Sequence, residues 1–153
     1  MYSRREISQT KEAFWTAFGK YMAPVVSAEG EHINWINYKT GVAGVQFKMD
    51  ADGSNAIIAL AFVHKDLEQQ QRFYDKLLEL RAIFEASAGS DWDWQAVKHD
   101  SNGKTFSGVA NTLSGYKVLN QQDWPELITF FKRNIISLDE FWSVAKYGFE
   151  ELL

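Results

Sequence analysis

Two histidine–aspartate pairs, His64 with Asp66 and His99 with Asp100, are the side chains of this sequence best suited to acid–base or metal chemistry. Imidazole titrates near neutrality and, with carboxylate oxygens, makes up the usual ligand set for zinc and similar divalent ions. Each pair ends a segment of strand character, so the four groups can meet only if both strand ends reach one edge of a sheet. There they would serve a metal-dependent hydrolase or nuclease-like enzyme. Asp66 has a competing role, because it directly precedes a helical pattern and suits an N-cap.

Trp35, Tyr38, Lys39 and Thr40 form a second set. With Gly41 they read as a hairpin tip, where an aromatic ring can stack on a base or sugar and a lysine can pair with an anion or a partner's side chain. A third set is Glu31 with Gln46-Phe47-Lys48, which has the acid-or-amide, any residue, lysine order of nuclease sites. In such sites carboxylates hold Mg²⁺ and the lysine steadies the attacking water. That element belongs on the third strand of the nuclease core, whereas here it falls on the second predicted strand, and the third has no acid between Ala56 and His64.

Several chemistries are excluded. The chain has no cysteine, which removes disulfides, thiolate metal sites and cysteine nucleophiles. Gly103-Lys104-Thr105 lacks the upstream glycine of a phosphate loop, and no dinucleotide fingerprint or paired-histidine zinc helix occurs. Ser107-Gly108 lacks the surroundings of a nucleophile elbow. The formal charge of −4 argues against a general nucleic-acid or anionic-membrane surface while leaving room for a local basic groove. No apolar run approaches the roughly 20 residues of a membrane span, and the first eleven residues have no signal-peptide core. A soluble cytoplasmic protein is the expectation, and no cofactor is implied.

The elements that must position these residues are legible in part. The 153 residues suit one domain, 1–153, with a single core. Ala56 to Val63 is apolar at every position, which reads as a central strand covered on both faces. Asp66 and Gln69 have capping-box spacing, and Phe73, Leu77, Leu80 and Phe84 make one helical stripe closed by Gly89. Ahead of this lie a helix capped by Ser3 and Glu6, ending near Met22 before Pro24, and strands at 32–38, 42–49 and 56–64 forming an antiparallel meander. After it come a strand around Trp92 and Trp94, one or two strands at 105–109 and 115–119, and a C-terminal helix introduced by Asp123, Pro125 and Glu126. That last helix is either one long element or two, the second capped by Ser137 and Glu140. A right-handed crossover through the central helix would make the strands that flank it parallel, with their C-terminal ends on the same edge of the sheet. The predicted class is α+β: a mostly antiparallel sheet covered by helices.

Phe14-Trp15, Ala28-Glu29-Gly30, Asn34-Trp35-Ile36-Asn37-Tyr38-Lys39-Thr40-Gly41, Trp92 with Trp94, Asp123-Trp124-Pro125, Phe130-Phe131-Lys132 and Leu138-Asp139-Glu140-Phe141-Trp142 recur in this order along nearly the whole chain. Together they resemble an uncharacterised bacterial domain-of-unknown-function family, found alone and also behind other domains, some nuclease-like. The resemblance implies a fold and a bacterial source, and it transfers no catalytic residue. The functional expectation is a binding or interaction module with a protein or small-molecule partner. The six tryptophans and eleven phenylalanines would also suit a homodimer interface.

Overall fold

The structure, a computed structural model, describes residues 2–99 and 102–153. Helix α1 (Arg4–Met22) starts on the expected capping box: Ser3 Oγ accepts from the Glu6 amide, and the Glu6 carboxylate accepts from the Ser3 amide. It ends at Met22, after burying Phe14, Phe18 and Met22; Ala23 keeps helical φ and ψ, and Pro24 has no amide hydrogen with which to continue the ladder.

Residues 23–44 then form an irregular strap in place of the first predicted strand. Only an isolated bridge, Val26 to His32, survives at 32–38. The reason lies in Asn34, whose side-chain oxygen accepts from the amides of Ile36 and Asn37 and folds the chain into a turn where a strand would need those amides for pairing. The predicted three-stranded meander is therefore a hairpin, β1 (Val45–Asp52) and β2 (Asn55–Phe62), turning at Gly53. With two strands between α1 and the next helix, Gln46 and Lys48 fall on the first strand, and this segment has no third strand to carry the nuclease element.

The central helix is two helices, α2 (Leu67–Glu79) and α3 (Arg81–Ala88), which break at Leu80. Asp66 caps α2 by accepting from the Glu68 amide, but Gln69 turns away to donate to the Leu152 carbonyl, so there is no box. Gly89 closes α3 with positive φ. Strands β3 (Asp93–His99) and β4 (Thr105–Ser114) follow, and 115–119 is not a strand. After a 3-10 turn (Gln121–Asp123), one uninterrupted helix, α4 (Trp124–Glu150), runs nearly to the end of the chain. Asp123 gives its carboxylate to the Lys117 amide and leaves the helix uncapped, and Ser137 bonds back to the Arg133 carbonyl inside the helix.

The sheet order is β1-β2-β4-β3 with every pair antiparallel. Strands β2 and β3 run in the same direction, as the crossover rule anticipated, with β4 between them. Directly opposed residues share a face. One face carries Val45, Phe47, Ile58, Leu60, Phe62, Val109 and Trp94, and all the helical packing lies there: Phe62 meets Phe73 of α2 and Phe149 of α4, while Phe84 of α3 meets Trp94 and Phe141. The other face carries Gln46, Lys48, Ile57, Ala59, Ala61, Phe106, Gly108 and Ala110 and has no helix over it; Ile57 is 39% exposed. The uniformly apolar run at 56–63 is thus not a strand sandwiched between helical layers. Its outward residues at 59 and 61 are alanines, small enough to be screened by the longer side chains beside them.

Ten of the eleven phenylalanines lie in the core. Each buried one contributes roughly 1.5–3 kcal/mol, so the phenylalanines build a one-sided core. Phe106 is the exception.

Candidate functional site

The strap has 22 residues without regular structure, and an ordered loop of that length in a compact domain usually serves function. Side-chain hydrogen bonds fix it to the body. The Trp35 indole donates to the Val25 carbonyl at 3.0 Å and ties the middle of the strap back to its start. The Trp142 indole donates to the Thr40 carbonyl at 2.8 Å, and the Thr40 hydroxyl donates to the Val45 carbonyl at 2.9 Å, which ties the strap to α4 and β1. Asp139, buried in α4, accepts from the Tyr38 hydroxyl at 2.6 Å and from the Ala28 amide at 2.7 Å. Lys146 pairs with Glu29 at 2.9 Å.

Between strap and α4 lies a recess of about 480 Å³, lined by Glu29, Glu31, Asn34, Asn37, Tyr38, Lys39 and Thr40 from the strap and by Asp139, Trp142, Ser143 and Lys146 from α4. Tyr38 stacks on Phe47 with ring centroids 4.4 Å apart. Burial, then the Asp139 hydrogen bond, then the negative charges of Asp139 and Glu29 push the Tyr38 phenol far above its ordinary range. Its proton is therefore committed to Asp139. The pair is a latch, and its phenol is no acid near neutral pH. The Glu29 hydrogen bond raises the Lys146 ammonium in the same way.

Of the predicted binding set, Tyr38, Lys39 and Thr40 come together in this recess, although at the end of the strap and not at a hairpin tip. Trp35 is buried beneath the strap, away from the lining. Asp139, Trp142, Ser143 and Lys146 are site residues that sequence reading missed. A signal was present: Asp139 sits four residues after Ile135 and three before Trp142, a core-facing slot of the α4 stripe in which a carboxylate needs buried donors.

A second recess, of about 640 Å³, opens at the strand ends and is lined by Gln46, Lys48, Lys65, His64, Phe106 and neighbours. His64 rests on Phe73 at 4.3 Å between ring centroids and against Gly44, and both its ring nitrogens are shielded without a hydrogen-bond partner among the described residues. Burial lowers its pKa. The Ala43 backbone, near but outside hydrogen-bond geometry, and the Asp66 charge oppose that shift without reversing it. Asp66 is exposed and caps α2, and His99 is exposed on β3 with Nδ1 3.4 Å from the Thr105 hydroxyl. Asp100 lies outside the described residues. Among the described residues no three His, Asp or Glu side chains gather as a metal site. Glu31 lines the strap recess while Gln46 and Lys48 line this one, so the nuclease-like set is split between two sites.

Against family models, residues 10–146 match DUF4268, a domain of unknown function. The chain belongs to the DUF4268 family. No curated protein and no solved structure matches it. The DUF4268 match contains the whole strap and every α4 residue of the recess, so the latch is internal to the family domain. Among the described residues no helix is long and apolar enough to cross a membrane.

Proposed function

We propose that this DUF4268 chain is a non-catalytic binding module, and that its ligand site is the recess between the strap and α4. The carrying observation is the strap itself: an irregular segment held by hydrogen bonds to four buried or half-buried side chains (Trp35, Tyr38, Asp139 and Trp142) around an open recess. Preorganisation of this kind lowers the ordering cost of binding. The lining mixes one sign with the other. Lys39 has no ion-pair partner among the described residues, Glu31 lies near it in the lining, and Asn34 and Asn37 supply amides. The fitting ligand carries both charges and hydrogen-bonding groups, as a zwitterionic small molecule or an exposed peptide segment does.

An NMR screen of amino acids, short peptides and small dicarboxylates against labelled protein tests this reading. The expected result is saturable shifts confined to Asn34, Asn37, Lys39 and Ser143, lost in Lys39→Glu while the melting temperature stays within about 2 °C of the parent, as surface substitutions allow. A panel that leaves those resonances unmoved, or moves them equally in Lys39→Glu, overturns it.

A further inference from the structure

The second recess has a different chemistry from the first. Its described lining brings the ammonium groups of Lys48 and Lys65 together and contains no carboxylate. In a chain of net charge −4 that is a local reversal of sign. Lys48 is held in place: its ammonium lies 5.6 Å from the centroid of the Phe106 ring, and Phe106 is the only phenylalanine outside the core. Lys65 is exposed, and its neighbour Asp66 is turned to the α2 cap and is not part of the lining. Gln46 adds an amide beside the lysines.

The recess also continues onto the face of the sheet that no helix covers. Lys98 stands opposite Phe106 in register, and the residues beyond are small: Gly108 and Ala110 on β4, Ala59 and Ala61 on β2. Cations around a planar ring match phosphates next to a base.

We propose that this strand-end recess binds the phosphate groups of a nucleotide, either free or within a single strand. Lys48 and Lys65 meet the phosphate, Phe106 carries the planar base, and the amide of Gln46 reaches its edge.

The test uses the full chain and three probes: pyrophosphate, ATP and a fluorescent twelve-residue oligothymidylate, titrated at two salt concentrations. Saturable binding of ATP or the oligonucleotide is expected, competed by pyrophosphate and weakened by salt. Lys65→Gln is expected to weaken it roughly tenfold, and Lys48→Gln with Lys65→Gln still further, since each removes a charge-assisted contact. Lys20→Gln on α1 serves as the distant control. Tighter ATP binding names a free nucleotide as the source, and tighter oligonucleotide binding names a single strand. Absence of saturable binding to all three probes overturns the proposal, as does binding that Lys65→Gln leaves as strong as Lys20→Gln does. Lys65 is exposed, so this variant remains decisive even if loss of the Lys48 contact with Phe106 disturbs folding.

Discussion

Tyr38 and Asp139 lie 101 positions apart in sequence and 2.6 Å apart in space. That one bond joins the strap to the longest helix, and the Ala28 amide on the same carboxylate doubles the link. A buried carboxylate with two donors is stable. With one donor removed, it keeps its desolvation cost with less compensation.

Tyr38→Phe is therefore expected to lower stability by about 1–3 kcal/mol, and Asp139→Ala by roughly 2–4 kcal/mol because two buried donors lose their acceptor. Urea denaturation measures both. Equal stability in Tyr38→Phe and parent would remove the latch from the account. The sign of the pH effect follows from the raised phenol. Its folded pKa lies above the ordinary 10.0, so its contribution is fully present below that pH and is lost as pH rises through the folded value. The parent should lose stability steeply in alkali, and Tyr38→Phe less steeply. Tyr74 is also raised, mainly by burial, so some alkaline loss remains.

His64 acts in the opposite direction. Burial depresses its pKa below the ordinary 6.5, so the unfolded chain binds the proton more tightly. Its contribution is whole above pH 6.5 and is lost as pH falls through the lowered folded value. Thermal midpoints recorded from pH 7.5 down to 5 should fall more for the parent than for His64→Leu. Parallel curves would show that His64 does not titrate in this window.

How much of this could be read beforehand depended on where the determining contact lay. The Ser3–Glu6 box, the stop at Pro24, the Asp66 cap and the Gly89 closure are short-range, and each was visible in neighbouring residues. The strap was not, because 32–38 carries strand-forming residues whose local pattern competes with the turn made by the Asn34 side chain and with partners on α4 far along the chain. The uncovered sheet face was hidden for a related reason: alanine counts as apolar in a pattern yet can face outward at little cost. The strap recess was half legible, since Tyr38, Lys39 and Thr40 are adjacent, but its other wall comes from α4. The basic recess was missed because Lys48 and Lys65 come from separate segments.

Gly44 marks the point where strap and strand-end recess touch. Its φ is +84°, and a Cβ there would overlap the imidazole of His64. Gly44→Ala thus combines left-handed strain, about 1–3 kcal/mol, with a steric clash that only movement of His64 can relieve. The double variant with His64→Ala separates the two. Removing the ring should return part of the loss, giving a coupling of roughly 0.5–3 kcal/mol of opposite sign to the single costs. Strict additivity would mean that the two residues do not meet.

Gln70 ties the two central strands together at the end where β2 stops. Its side chain is buried, and its amide nitrogen donates to the His64 carbonyl at 3.0 Å and to the Thr105 carbonyl at 3.2 Å. Both acceptors lie just past the last rung of the β2–β4 ladder, Phe62 with Ser107. Gln70→Leu keeps the volume and the helical propensity but leaves two carbonyls without this donor, so a loss of roughly 1–3 kcal/mol is expected. Hydrogen exchange locates the effect: the amides of Phe62 and Ser107 should exchange faster while those of Ile58 and Asn111, deeper in the same ladder, keep their protection until the whole domain opens. Uniform acceleration along β2 would instead mean that Gln70 stabilises the domain globally and does not clamp the strand ends. Because His64 and Thr105 both line the basic recess, the same variant should also loosen that site and weaken nucleotide capture without removing a single charge.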